Sequence, residues 1–241
     1  MGRGSSKSGG TGGGGASGGV NPNNIKNEKD MLSIRDDSNK EQIDDVLKVA
    51  KSMTEQYGND VAITGTFKTA EFKGKDANTI GCYTHDDGSI ILNKKYIGNK
   101  NLDSAYDKDV ESGFHPSRGN KSGIEAVAAH EYAHSLTANA QQNMGAKTYE
   151  EAATRIVTEA RLNMNSGKKN KGTNASFRKN VSGYGARSDV EAIAEARADV
   201  YCNGKKAGKE SQAIVNTLNS YLTTGKKTNI TEDKLRRIKS N

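Results

Sequence analysis

The sequence predicts an α+β fold in which a small mixed β-sheet precedes a set of helices. Short β-prone runs lie between residues 61 and 93, and apolar residues recur at helical spacing after residue 122. No internal repeat is detectable. Only 32% of the 241 residues are hydrophobic, so part of the chain is expected to lie outside a packed core.

The N-terminal part of the chain divides into a tail, a helix and three short strands. Residues 1–21 are mostly Gly and Ser with a few basic residues, which predicts a flexible tail before a folded domain at 22–241. A capping box at 38–41 predicts a helix that Gly58 ends. The predicted strands, the last two joined by a hairpin turn at 85–88, are 61–64, 79–84 and 89–93.

Helices dominate the second half. Residues 94–120 are predicted to be a long loop, after which a second capping box at 122–125 starts a helix. Further helices are predicted over Tyr149–Met164, from Asp189 to about Tyr201, and over residues 212–222. The polar, basic stretch 167–180 is expected to be a surface loop.

The net charge of +7 and the pI near 9.2 indicate a basic surface that attracts polyanions. The excess lies in short clusters at 168–171, 205–209, 226–227 and 236–239. No aromatic residues are interleaved with these clusters to stack on bases. The clusters therefore predict at most a weak contact with nucleic acid.

The expected compartment follows from the absence of two sequence signals. No apolar run approaches the roughly 20 residues that span a bilayer, and no apolar segment typical of a secretory signal begins the chain. We expect a cytoplasmic protein, with packaging into a particle as the alternative. Cys82 and Cys202 lack the spacing of a thiolate metal site and are expected to be buried free thiols.

The pentapeptide HEYAH at residues 130–134 carries the clearest chemistry. Residues i and i+4 share one face of a helix, so His130 and His134 can direct imidazole nitrogens to one ion at about 2.0–2.1 Å. Glu131 stands beside them as a general base towards water on that ion. Neutral imidazoles with a carboxylate favour zinc over calcium or magnesium. Alanines and Leu136 flank the motif, which predicts a buried helix.

A catalytic zinc needs a third protein ligand and an open fourth position. No histidine follows His134, so the third ligand is expected to be a carboxylate on a later helix. Glu191, Glu195 and Asp199 repeat every fourth residue among apolar neighbours, which favours an acidic row that faces the histidines. The alternative is an exposed acidic stripe that pairs with two arginines, Arg187 and Arg197.

HEYAH, followed by Tyr184 and the glutamate pair at 191 and 195, resembles the gluzincin zinc peptidases. The pattern is most similar to the catalytic domain of anthrax lethal factor and to HExxH proteins from phages and mobile elements of Gram-positive bacteria. In these proteins a tyrosine precedes the ligand glutamate by seven residues, and a second glutamate follows it by four. The match covers residues 79–202 in pattern and implies a zincin-like domain.

The resemblance also implies roles for individual residues. Glu191 would be the third zinc ligand, Tyr184 would donate its hydroxyl to the oxyanion, and Glu195 would orient a ligand imidazole. Residues 192–193, Ala and Ile, replace the family's bulky aromatic residues, which leaves Glu195 open as the ligand instead. An aspzincin-like site that uses Asp189 or Asp199 is a further alternative.

Two upstream features fit the same arrangement. The strand at 89–93 is a candidate edge strand on which an extended substrate is held by β-augmentation, and a plain hairpin strand is the alternative. His115 lies shortly before the motif helix and is a candidate cleft residue, with an uninvolved loop histidine as the alternative.

Two functions of different classes follow. The first is a zinc-dependent endopeptidase that acts on a protein or peptide, encoded by a phage or mobile element. The second is a non-catalytic, zinc-stabilised module that serves as a phage structural protein or binds nucleic acid or a host protein. The sequence does not specify the substrate.

Overall fold

The computed structural model describes residues 20–57, 67–99, 101–169 and 172–222. Most of the predicted tail and the predicted strand at 61–64 lie outside these ranges. Within them the fold is α+β, as predicted, with a four-stranded sheet and seven α-helices. In chain order the helices are α1 (Lys40–Tyr57), α2 (Leu102–Glu111), α3 (Gly123–Met144), α4 (Tyr149–Met164), α5 (Asn174–Lys179), α6 (Asp189–Asn203) and α7 (Lys209–Leu222).

The sheet is mixed and small. Its strands are β1 (Ile25–Asp30), β2 (Phe67–Phe72), β3 (Gly81–Tyr83) and β4 (Ile90–Asn93), in the order β1-β2-β4-β3. The β2–β4 pair is parallel and the other two pairs are antiparallel. The predicted hairpin turn joins β3 to β4, where Thr84 donates its amide to the carbonyl of Ser89.

The edge-strand prediction was wrong. The strand at 89–93 is β4, which lies inside the sheet between β2 and β3. All four residues of β4 are buried, as expected for an interior strand. The hairpin connection to β3 did not reveal this position. The edge next to the motif helix is β3 instead.

Two predicted loops contain helices. The loop at 94–120 holds α2, which buries Leu102 and Tyr106 at a helical spacing of four residues. The surface loop at 167–180 holds α5, a short helix capped by Thr173 that buries Phe177. In each segment the burial of one or two apolar side chains stabilises a helix, although most of its residues are polar. The strand β1, with five of its six residues exposed, was not predicted at all.

Helix α3 forms the centre of the molecule. Its predicted capping box is present: the Ser122 hydroxyl accepts the Glu125 amide, and the Glu125 carboxylate accepts the Ser122 amide. Every residue from Gly123 to Thr137 is buried, because α1, α4, α6, α7 and the sheet pack around the helix. A helix that is apolar on all sides belongs in such a position.

Two further findings concern the chain as a whole. Both cysteines are buried and free, as predicted. Among the described residues, no helix is both long and apolar enough to cross a bilayer.

Candidate metal centre

The two histidines of the motif lie on one face of α3, deep in the protein. His130 is 5% exposed and His134 is 1% exposed. Their ring centres are 5.1 Å apart, as expected for residues one helical turn apart. The carboxylate of Glu131 has no exposed surface and lies 4.0 Å from Nε2 of His134. The motif thus places three polar side chains inside the core.

Helix α6 supplies the third group. Ser188 caps this helix by accepting the amide of Glu191, which orders the first turn of α6. The helix packs against α3. Oε2 of Glu191 lies 3.3 Å from Nε2 of His130. Two ligands of one tetrahedral zinc ion are also about 3.3 Å apart, given the usual bond lengths. One ligand atom from each of His130, His134 and Glu191 lies within 4.8 Å of the others.

Several buried polar atoms at this point form no well-aligned hydrogen bond with the described residues. Five of them belong to the motif and to Glu191: His130 Nε2, His134 Nε2, Glu191 Oε2 and both carboxylate oxygens of Glu131. Each buried polar atom without a partner costs on the order of 1–3 kcal/mol, and more when charged. A metal ion coordinated by the two Nε2 atoms and by Glu191 satisfies three of them. The donor set therefore fits a metal.

The opposite ring nitrogen of each histidine is held by a hydrogen bond. Nδ1 of His130 lies 2.8 Å from Oε1 of Glu195, and a carboxylate accepts, so this nitrogen carries the proton. Nδ1 of His134 lies 2.9 Å from the Tyr149 hydroxyl, which donates to the backbone carbonyl of His134. With Nδ1 as the donor on each ring, both Nε2 atoms would offer a lone pair to a metal ion, which replaces the proton that His130 gains in the metal-free protein.

Removing the Tyr149 hydroxyl should weaken metal binding. In Tyr149→Phe, Nδ1 of His134 loses its acceptor, and the ring loses its fixed tautomer and orientation. We expect about 10- to 100-fold weaker zinc binding, measured by competition with a chromogenic chelator. Tyr221→Phe is the matched control, since its hydroxyl bonds to Glu159. Equal affinities in the two variants would contradict a role for Tyr149 at the metal.

The carboxylates around His130 favour a positive charge between them. Burial lowers the pKa of His130, but Glu191 and Glu195 outweigh burial and raise that pKa well above its ordinary value. Burial raises the pKa of Glu195, but His115 and His130 outweigh burial and lower that pKa to about 2. Burial raises the pKa of Glu131 to about 8, which the charge of His130 offsets only in part. A dication at this point would stabilise all three carboxylates.

The alternatives for the third ligand are occupied elsewhere. Glu195 accepts from the imidazoles of His130 and His115 and from the Ser182 hydroxyl. The carboxylate of Asp199 accepts from Asn203 and from the amide of Gly208. That of Asp189 pairs with Arg178 and Thr154. Of these acids, Glu191 alone is grouped with the histidines.

The exposed-stripe interpretation of the acidic row is wrong. Glu191, Glu195 and Asp199 are 3%, 1% and 7% exposed. Neither Arg187 nor Arg197 forms an ion pair with a described carboxylate. The row faces inward because α6 is packed against α3 on one side and α7 on the other.

The remaining predicted residues lie close by. Tyr184 is 2% exposed, and its ring centre is 5.7 Å from that of His130. His115 is buried, and its Nδ1 lies 3.0 Å from Oε2 of Glu195. Its ring stacks on Tyr106 at 5.1 Å. His115 lines a small pocket that His130 and Glu131 also line. It is therefore not an uninvolved loop histidine, and it also supports the carboxylate that holds His130.

Three contributors were missed by sequence reasoning. Tyr149 was predicted only as a helical core residue, and Ser182 was given no role. Nothing local in the sequence marks either one, since both depend on tertiary contact. Gly81 was assigned to a strand, but a side chain there would place Cβ 2.8 Å from Leu92 and 3.2 Å from Cγ of Glu131. The strand β3 can approach Glu131 only because this position is glycine.

Comparison with known protein families, with characterised proteins and with solved structures finds no significant match for this chain. The assignment of the site therefore depends on its own geometry.

Proposed function

We propose that this protein is a zinc-dependent endopeptidase. The observation that carries the proposal is the convergence of two buried imidazole Nε2 atoms and one buried Glu191 oxygen, next to the fully buried carboxylate of Glu131. A purely structural metal site would have no use for a buried carboxylate beside its three ligands. A hydrolytic site needs such an acid as its general base.

The metal ligands, Glu131 and Tyr184 would have separate roles in hydrolysis. A zinc ion held by His130, His134 and Glu191 would act as a Lewis acid and bring the pKa of water near neutrality. Glu131 takes the proton from the attacking water and passes it to the leaving amine. Tyr184, whose ring packs beside His130, would donate its hydroxyl to the oxyanion. These roles agree with those that the gluzincin resemblance implies.

The proposed substrate track is the edge strand β3. Its outer side pairs with no described strand, and Gly81 brings it against Glu131. An extended peptide that adds to this edge would lie along the motif helix, held by main-chain hydrogen bonds. Glu131 has no exposed surface, so side chains around the site must move when a substrate enters.

A cleavage screen tests the proposal. The zinc-loaded protein is incubated with a proteome-derived peptide mixture, and new N-termini are identified by mass spectrometry. We expect cleavage at a defined set of sites, loss of all of them in a chelator, and recovery when zinc is restored. A zinc-loaded protein that cleaves neither peptides nor unfolded proteins would overturn the proposal and favour a zinc-stabilised binding module.

A further inference from the structure

Arg187 lies at the edge of the candidate centre, in the turn before α6. Its backbone amide donates to the carbonyl of Tyr184 at 3.0 Å. The guanidinium carbon lies 4.7 Å from the ring centre of Tyr184 and 5.2 Å from that of Phe114. The residue is exposed. An exposed cation is thus fixed on the aromatic ring that the proposed function assigns to the oxyanion.

The other arginines among the described residues are committed to protein partners. Four of them pair with carboxylates: Arg35, Arg118, Arg155 and Arg178. Arg161 bonds to Asn174 and to a backbone carbonyl. Arg197 is buried against Met53 and Gln56. Arg187 donates no side-chain hydrogen bond to any described group. It combines an immobilised guanidinium with five unused donors.

Stacking leaves those donors available. A guanidinium held with aromatic rings nearby keeps its in-plane N–H groups for a ligand, and its fork matches the two oxygens of a carboxylate. Restricting the side chain in advance also reduces the entropy lost on binding. This arrangement suits recognition of a carboxylate better than a freely moving surface lysine does.

We propose that Arg187 binds a carboxylate of the substrate, so that the enzyme selects peptides with an acidic group close to the scissile bond. The inference rests on the proposed function and names its substrate class. Consecutive residues of an extended peptide are about 3.3 Å apart. With the guanidinium 4.7 Å from the Tyr184 ring, the acidic group lies within roughly two residues of the carbonyl that Tyr184 contacts.

Three matched peptides test the proposal, designed around one site from the cleavage screen or, where the screen finds no site, around one extended peptide that binds the zinc-loaded protein. The first carries Glu beside the scissile bond and an amidated C-terminus. The second carries Gln there and is also amidated. The third carries Gln and has a free carboxylate directly after the scissile residue pair. The second peptide is the neutral reference, and the other two separate a side-chain acid from a terminal one.

In the wild type we expect kcat/KM for one acidic peptide to exceed that for the neutral peptide by about 10- to 100-fold, as charge-assisted hydrogen bonds allow. Arg187→Ala should remove this preference, mainly by raising KM for the acidic peptide to the value for the neutral one. Arg187→Glu should reverse the preference, so that the neutral peptide is cleaved better than the acidic one. Lys205→Ala, which removes an equal charge from another exposed turn, should leave the preference unchanged.

Two results would overturn the inference. One is a wild-type enzyme that cleaves neutral and acidic peptides equally well. The other is an equal loss on all three peptides in Arg187→Ala, which would show that Arg187 only supports Tyr184. Binding of the same peptides to zinc-loaded Glu131→Gln separates this inference from the proposed function. An Arg187-dependent preference there, without cleavage in the wild type, supports the anion site and refutes the peptidase.

Discussion

Replacing Glu131 with glutamine is expected to abolish peptide cleavage while leaving the metal in place. The amide has the same shape as the carboxylate but cannot accept the proton of the attacking water. General-base catalysis contributes typically about 10²- to 10⁴-fold, so kcat should fall by at least that much. The two histidines and Glu191 remain, and zinc content should equal that of the wild type. Cleavage by the variant at the wild-type rate would refute the proposed mechanism.

Glu131→Gln, which is expected to abolish cleavage, is also expected to stabilise the metal-free protein. Burial raises the pKa of Glu131 from an ordinary 4.5 to about 8. A group whose pKa is raised in the folded state destabilises that state as pH rises from the unfolded pKa towards the folded one. Metal-free Glu131→Gln should therefore melt at a higher temperature than the metal-free wild type at pH 7. The difference should shrink as pH falls towards 5.

Replacing His134 with alanine is expected to remove the metal and to destabilise the protein. One of three ligands is lost, and the buried carboxylates of Glu131 and Glu191 lose the cation that offsets them. Removing one partner of a buried charge pair costs roughly 3–5 kcal/mol, and the stabilisation from bound zinc is lost as well. Chemical unfolding and metal analysis measure the two effects.

His85→Ala is the matched control for His134→Ala. His85 is exposed on the hairpin turn and packs edge-on against Tyr149 at 4.6 Å. It is no part of the grouped ligand atoms. This variant should keep its zinc and most of its stability. Loss of zinc from both variants alike would contradict the assignment of His134.

The helical part of the site was predictable because its signals are local. A capping box, a run of alanines and the four-residue spacing of His130 and His134 define α3 within one segment. The four-residue repeat of acids similarly marked α6 as a helix with one special face. Their burial followed from composition, since His and Glu placed among alanines must face something inside the protein.

The surroundings of the site were less predictable because they depend on distant contacts. The hairpin signal identified β3 and β4 but could not tell which of them lies at the edge, since that depends on where β2 pairs. Tyr149 contacts His134 across the α3–α4 turn, and His115 reaches Glu195 over 80 residues of chain. No periodicity encodes such pairs.

The sequence left both Glu191 and Glu195 as candidates for the third ligand, and the hydrogen bonds of Glu195 favour Glu191. Glu195 lies one turn from Glu191 on α6, yet two imidazoles and Ser182 use its oxygens. Ala192 and Ile193, which follow Glu191 directly, are fully buried.

Zinc content, measured on the purified wild type and on Glu191→Ala and Asp199→Ala, tests the central claim most directly. We predict about one zinc per chain in the wild type and in Asp199→Ala, and far less in Glu191→Ala. A wild type that binds no zinc after exposure to it would contradict the account. So would a Glu191→Ala protein that keeps its full zinc content.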